Sequence, residues 1–183
     1  MISYSRSDRS RRNNSKGKQL EKLILAGCTY YQQKGIAAIE KTPEPFGVLK
    51  KYNDGTFLGR FYRRAQPDFQ GTLSDGRSII FEAKSTEDDR INQSVLTKAQ
   101  HDYSELHYQL GAYVGVCVQI KKIYAFIPWE IWRQMKEVYG RKYLTEKEAA
   151  VYSVKTPGFI GFLEYQDKES NHLVSVCKEA PTK

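Results

Sequence analysis

The sequence of 183 residues lacks the features of a membrane protein and of a disulfide-stabilised domain. It has no run of about 18 apolar residues, so we expect no membrane-spanning helix. Its first residues are polar and lack the apolar segment of a secretory signal. Its three cysteines are far apart and have no histidine at metal-ligand spacing, which argues against a disulfide framework and a zinc site. We therefore expect a reducing cytoplasm, at the nucleoid or, for a viral protein, in the host cell.

What the sequence does have is positive charge concentrated in two segments. The net charge is +8, of which residues 1–18 contribute +5 and residues 50–64 contribute +4, so the remainder is almost neutral. Concentrated cations favour a polyanion, because each neutralised phosphate releases condensed counterions. We expect nucleic acid as the partner. The alternative is a solubilising tail together with an exposed hairpin.

The apolar pattern predicts one α/β domain with extensions. We expect a disordered basic arm over 1–16, a folded domain over 17–170 and a polar tail over 171–183. Segments with strand character form a mostly contiguous block between segments with helical character, which favours a central mixed sheet flanked by helices. The predicted helices cover 17–34, 95–110, 129–139 and 145–150. The predicted strands of the sheet cover 36–40, 69–73, 77–84, 113–120, 123–127 and 159–165.

A basic hairpin is predicted over 47–65, inserted before the central strands. Two extended segments flank Asn53-Asp54-Gly55, which is a strong hairpin turn signal. Aromatic residues alternate there with basic ones, and we expect Phe57 and Phe61 to pack inward. The cations of the hairpin are Lys50, Lys51, Arg60, Arg63 and Arg64.

The candidate catalytic residues are Asp68, Glu82 and Lys84, in the pattern Pro-Asp followed fourteen residues later by Glu-Ala-Lys. Successive side chains of a strand point to opposite faces, so Glu82 and Lys84 share one face. The opposite face is apolar and fixes the register by packing into the core. The turn at 74–76 returns the preceding strand alongside, which can place Asp68 beside Glu82.

Two carboxylates and a lysine fit metal-dependent phosphodiester hydrolysis. Protein sites hold Mg²⁺ through one or two carboxylates, with water and phosphate oxygens as further ligands. The cation activates a water and neutralises charge on the phosphate, and an ammonium can stabilise charge that develops there. The alternative interpretation of an acid–x–lysine triplet is a solvent-facing, salt-bridged strand.

The motifs together resemble the PD-(D/E)xK nuclease superfamily, in particular the RecU-type Holliday junction resolvases. The resemblance runs from about residue 13 to 165. Besides the catalytic pattern, it rests on Gly17-Lys18-Gln19-Leu20-Glu21, Tyr30-Tyr31, Asp68-Phe69-Gln70-Gly71, Phe81-Glu82-Ala83-Lys84, Gln100 and Gly115–Ile120. It implies a restriction-endonuclease-like fold, and a hairpin stalk that projects toward the centre of the junction.

The resemblance also implies roles for individual residues. Asp68 and Glu82 would be metal ligands, Lys84 the catalytic lysine, and Gln100 a support for the metal or the attacking water. Gln66 stands where the family tends to offer a threonine-type oxygen ligand, so it departs from the pattern. Glu21 is a further candidate site residue, with an exposed helix glutamate paired to a neighbouring lysine as the alternative.

The resulting hypothesis is a homodimeric endonuclease that makes paired cuts across a four-way DNA junction, with Mg²⁺ as the cofactor and Mn²⁺ as an alternative. Recombinase proteins are further candidate partners. Two other functions stay open: a nuclease of this fold acting on another DNA, and a non-cleaving accessory protein that binds DNA. Besides the stalk cations, the expected DNA contacts are Arg11, Arg12, Lys16 and Lys18.

Overall fold

The computed structural model describes residues 6–43, 46–61 and 66–164. Its helices are α1 (Arg6–Gln33), α2 (Lys98–Gln109), α3 (Trp129–Arg133), α4 (Met135–Tyr139) and α5 (Glu146–Ala150). Its strands are β1 (Ala37–Lys41), β2 (Phe46–Lys51), β3 (Phe57–Phe61), β4 (Phe69–Leu73), β5 (Ser78–Thr86), β6 (Arg90–Asn92), β7 (Tyr113–Ile120), β8 (Ile123–Pro128) and β9 (Tyr143–Thr145). Within these ranges, no helix is both long and apolar enough to cross a membrane.

A five-stranded mixed sheet in the order β1-β4-β5-β7-β8 forms the centre of the molecule. β5 pairs antiparallel with β4 and parallel with β7, and the other pairs are antiparallel. The return from β5 to a parallel β7 passes through α2, as a crossover connection must. The predicted α/β fold with a central mixed sheet flanked by helices is confirmed.

Both faces of the sheet are covered by apolar side chains. On one face, Leu20, Ile24 and Tyr31 of α1 pack over Phe69 and Phe81. On the other face, Trp129 and Trp132 of α3 pack with Ile80 and the valines of β7. This double burial explains why β7 is apolar almost throughout, with every residue buried.

The start of α1 differs from the sequence prediction. The composition predicts a disordered arm over 1–16, whereas α1 begins at Arg6 and runs through residues 6–16 without a break. Arginine and lysine have good helix propensity, and adding a turn to a helix already docked on the sheet avoids the cost of nucleation. Residues 1–5 and the predicted tail over 171–183 lie outside the described residues.

Two further elements also differ. The helix predicted over 129–139 is divided at Gln134, whose φ of −101° and ψ of 22° separate α3 from α4. The strand predicted over 159–165 is wrong for the part described, because residues 159–164 form no strand. The backbone N–H of Ile160 donates to the carbonyl of Leu23 on α1, so this segment closes the core against a helix instead of extending the sheet.

The predicted hairpin is confirmed as a separate two-stranded sheet of β2 and β3. Gly55 has φ +83°, and the Asp54 carboxylate accepts from the backbone N–H of Thr56 at 2.9 Å, which fixes the turn. The expectation that Phe57 packs inward is wrong, since 56% of it is exposed. A two-stranded ribbon has no second layer to cover such a ring. The side chain of Phe61 and residues 62–65, including Arg63 and Arg64, lie outside the description.

Candidate active site

The antiparallel pairing of β4 and β5 brings the two predicted acids to one edge of the sheet. Phe69 is opposite Phe81, and their rings stack at 5.0 Å. Asp68 immediately precedes β4, so continuing this register by one residue sets it beside Glu82. Ile79 and Phe81 point into the α1 core, whereas Ile80 belongs to the α2 side, in the same alternation as Glu82. The strand alternation inferred from sequence is therefore confirmed.

Lys84 joins the two carboxylates. Its Nζ donates to Oε2 of Glu82 at 2.8 Å and to Oδ2 of Asp68 at 3.1 Å. The backbone N–H of Ala83 donates to the same Asp68 oxygen at 2.8 Å. Asp68 is thus held by the backbone of β5 as well as by an ammonium. The three residues of the predicted pattern form one hydrogen-bonded cluster.

Glu82 is the buried member of this cluster, with 1% of the residue exposed. Burial raises its pKa to about 7, because the carboxylate loses hydration. The Lys84 ammonium opposes this rise, while the carboxylate of Asp68 adds to it. Glu82 therefore changes its protonation state near neutral pH as long as no further cation lies beside it.

Lys84 stays a cation in this setting. Burial alone would lower its pKa, but the carboxylates of Glu82 and Asp68 act more strongly together, so its pKa lies above the ordinary value. A protonated lysine cannot accept a proton. Its chemistry here is to hold carboxylate or phosphate oxygens and to stabilise negative charge.

Gln100 reaches the cluster from the first turn of α2. Its Nε2 donates to Oε2 of Glu82 at 2.7 Å. Its Oε1 accepts from the backbone N–H of Thr97 at 3.1 Å, and the Thr97 hydroxyl lies 3.2 Å from the same oxygen. Thr97 is the N-cap of α2 and Gln100 is the third residue of the helix, so the pair forms a capping box. The structure thus places Gln100 on a carboxylate of the cluster.

The carboxylate oxygens of Asp68 and Glu82 are suitable ligands for a hard divalent cation. Among the described residues, Oδ2 of Asp68 accepts from Ala83 and Lys84, and Oε2 of Glu82 accepts from Lys84 and Gln100. No group of three His, Cys, Asp or Glu side chains that could hold a metal occurs in the described part of the chain. Two carboxylates completed by neutral oxygens, water and phosphate match Mg²⁺ better than zinc.

The structure places Glu21 beside Lys41, whose Nζ lies 2.6 Å from the glutamate oxygen. Strand alternation puts Lys41 on the same face of β1 as Ala37 and Ile39, and this face packs against α1. Glu21 and Lys41 therefore meet on the α1 side of the edge, whereas Glu82 meets Gln100 on the α2 side. Gln66 is half-buried just before Pro67, two residues ahead of Asp68 in the chain.

The basic part of α1 passes close to the end of β5. A Cβ on Gly17 would lie 3.9 Å from Oγ of Ser85, the residue after Lys84. Lys16 forms an ion pair with Glu87, and Lys18 is exposed. Arg11 and Arg12 lie on the preceding turns of the same helix. In the hairpin, Lys50 and Lys51 are exposed, and Nζ of Lys50 lies 5.2 Å from the centre of the Tyr52 ring.

Two features of the site were missed in the sequence. Thr97 could have been found, because Thr97-Lys98-Ala99-Gln100 matches the capping-box pattern at a helix start. The ion pair of Lys41 with Glu21 carries no local signal, since it depends on how α1 crosses β1.

Comparisons with known proteins identify relatives of this chain. A curated relative named "Holliday junction resolvase RecU" from Streptococcus oralis is 29% identical over 108 residues, covering 56% of this chain and 53% of its own length. The chain thus spans about half the length of such streptococcal relatives. One of the same name from Geobacillus thermodenitrificans is 26% identical over 157 residues, covering 78% and 76%.

Among solved structures, that of Archaeoglobus fulgidus Hjc, a Holliday junction resolvase from an archaeal hyperthermophile, matches at 12% identity with a TM-score of 0.44, covering 74% of this chain and 88% of its own. The sequence profile of the RecU family, described as Recombination protein U, matches residues 15–168. The chain therefore belongs to the RecU family.

Proposed function

We propose that this protein is a metal-dependent endodeoxyribonuclease that resolves four-way DNA junctions by paired phosphodiester hydrolysis. The observation that carries the proposal is the hydrogen-bonded cluster of Asp68, Glu82, Lys84 and Gln100 at one edge of the sheet. A non-cleaving DNA-binding protein gains nothing from two acids beside the phosphates it binds. The names of the RecU relatives support the junction as substrate.

Each residue of the cluster has a task in this hydrolysis. Asp68 and Glu82 would hold Mg²⁺ or Mn²⁺, and Gln66 and Glu21 are weaker candidates for its surroundings. When bound, the cation supplies positive charge that stabilises the phosphate as a water adds to phosphorus and one P–O bond breaks. Lys84 adds a fixed ammonium for the charge on the phosphate oxygens. Gln100 keeps the buried Glu82 in one orientation by donating to it.

The basic segments supply the affinity for DNA in this proposal. Cations of α1 and of the hairpin contact phosphates, which position the substrate without reading its sequence. The aromatic residues exposed on the hairpin, Tyr52 and Phe57, can stack on bases that are unpaired at a branch point. Two symmetric cuts need two sites, so we propose a homodimer with a two-fold axis.

The decisive experiment compares substrates. Labelled four-way junction, linear duplex and flap DNA are incubated with the full chain, with Mg²⁺ or with EDTA. The proposal expects paired cuts in the junction that need the cation. Cleavage of duplex as fast as junction would instead indicate a restriction or repair nuclease, and binding without any cleavage an accessory protein.

Variants then test the site. Asp68→Ala and Glu82→Ala should abolish cleavage and leave junction binding within a few-fold of wild type, since phosphate contacts elsewhere supply the affinity. Glu137→Ala, an exposed acid on α4, is the matched control and should cut normally. Full cleavage by either site variant would refute the assignment.

A further inference from the structure

The capping box of α2 fixes which way the Gln100 side chain faces. A glutamine amide has an oxygen that accepts and an NH₂ that donates. The oxygen of Gln100 is committed to Thr97, with its backbone N–H at 3.1 Å and its hydroxyl at 3.2 Å. The NH₂ faces Oε2 of Glu82 at 2.7 Å. Rotating the amide by half a turn would set an oxygen against the carboxylate and an NH₂ against the Thr97 N–H, and both bonds would be lost.

The Thr97 hydroxyl has two partners in this arrangement. It accepts from the backbone N–H of Gln100 at 3.2 Å, as an N-cap does. It also donates to Oε1 of Gln100, because that oxygen has no proton of its own. One small side chain therefore caps α2 and orients the amide that holds a buried carboxylate of the site.

We propose that Thr97 is a positioning residue for the divalent-cation site, acting through Gln100 to hold the carboxylate of Glu82. The inference rests on the proposed function, from which it takes the role of Glu82 as a ligand. Removing a residue that orients a metal ligand through a hydrogen bond commonly lowers metal affinity about 10- to 100-fold. Gln100 then serves the site through its NH₂ on Glu82.

The competing explanation is that Thr97 does no more than cap a helix. The chain contains a matched case that separates the two. Thr145 caps α5 in a capping box of the same kind, with Glu148 as the third residue of the helix. The Glu148 carboxylate accepts a hydrogen bond from the Arg141 guanidinium at 2.7 Å, in the region of β9 and α5. Removing the Thr145 hydroxyl therefore removes the N-cap of α5 and leaves the hydrogen bonds of Glu82 unchanged.

The test measures Ca²⁺ binding by titration calorimetry on the full chain, with no DNA present, alongside the melting temperature of each variant. Thr97→Val should weaken Ca²⁺ binding about tenfold. Thr97→Ser, which restores the hydroxyl, should bind within about threefold of wild type. Thr145→Val should lower the melting temperature as Thr97→Val does, yet keep the wild-type affinity. Thr97→Gly is a second variant without the hydroxyl, and it preserves the fold because glycine is an acceptable N-cap. It should bind Ca²⁺ as weakly as Thr97→Val does.

Equal Ca²⁺ affinities of wild type, Thr97→Val and Thr97→Gly would overturn the proposal, as would an equal loss in Thr145→Val. The result of this binding test can be distinguished from the result of the cleavage test of the proposed function. A wild-type protein that binds Ca²⁺ but cuts no DNA in Mg²⁺ would refute the nuclease while the role of Thr97 is still decided by the affinities.

Discussion

The ammonium of Lys84 lies 2.8 Å from Oε2 of Glu82, and this contact joins the most buried acid of the site to its only lysine partner among the described residues. In the proposed nuclease, Lys84→Ala removes the charge that stabilises the phosphate as it reacts. We expect cleavage of a four-way junction to slow by about 100- to 1000-fold, measured in single turnover. Binding of the junction should change little. Lys142→Ala, at an exposed position, is the control, and a Lys84→Ala protein that cuts at the wild-type rate would remove Lys84 from the mechanism.

The burial of Glu82 makes stability depend on pH. Its pKa of about 7 in the folded protein lies above the ordinary value of 4.5, so the folded state binds the proton more tightly than the unfolded state. The stability from this group is present below about pH 4.5 and is lost as the pH rises to about 7. We expect the metal-free protein to lose on the order of 1–3 kcal/mol of unfolding free energy across this interval.

Glu82→Gln should remove that loss, because the amide does not titrate. Urea unfolding in EDTA between pH 4.5 and 8 measures it, with Glu137→Gln as an exposed control that keeps the wild-type profile. Identical profiles for wild type and Glu82→Gln would contradict the raised pKa.

The hairpin predicts a particular salt dependence. Lys50 and Lys51 are exposed on β2, so the double change to alanine removes two cations without disturbing the core. If the hairpin contacts phosphates, junction binding should weaken, and the slope of log affinity against log salt should become shallower by up to about two. The double variant Lys136→Ala with Lys147→Ala, of equal charge change at exposed sites, should keep the wild-type slope. Equal slopes for both would exclude the lysines of the hairpin from the DNA interface.

Gly71 of β4 lies directly against the backbone of β1, with no room for a side chain. A Cβ there would lie 2.0 Å from the carbonyl oxygen of Ala38, so Gly71→Ala must push the two strands apart. We expect a loss of about 1–3 kcal/mol in unfolding free energy, measured by urea denaturation. Gly17→Ala is the control, since its Cβ meets nothing closer than 3.9 Å and alanine favours a helix by up to about 1 kcal/mol. An unchanged stability of Gly71→Ala would contradict the close pairing.

The cluster of Asp68, Glu82 and Lys84 could be predicted because its geometry is local. Strand alternation sets Glu82 and Lys84 on one face, and a short turn between β4 and β5 returns Asp68 to them. The placement of Gln100 came from the resemblance to a family, and its contact with Glu82 depends on how α2 docks. The ion pair of Glu21 with Lys41 depends on the path of a 28-residue helix over β1, which no local pattern encodes.

The errors in the fold have a common physical origin. Packing against other elements of the chain determines three features: the start of α1, the division at Gln134 and the course of residues 159–164. The sequence of a short segment does not contain that information. Alternation along the hairpin predicts an inward side chain for Phe57, but a ribbon of two strands offers no interior. The hairpin itself was predictable, because Asn53-Asp54-Gly55 needs no partner to turn.

The pairing of β4 with β5 has a consequence for a newly made chain. Asp68 and Glu82 are fourteen residues apart in the sequence and meet only where these two strands close on each other, with Gln100 arriving from a helix made later still. A chain still emerging from the ribosome, or one with β4 detached, has single acids and no paired site. In the proposed nuclease, the acids that hold the cation therefore come together only when the sheet has assembled.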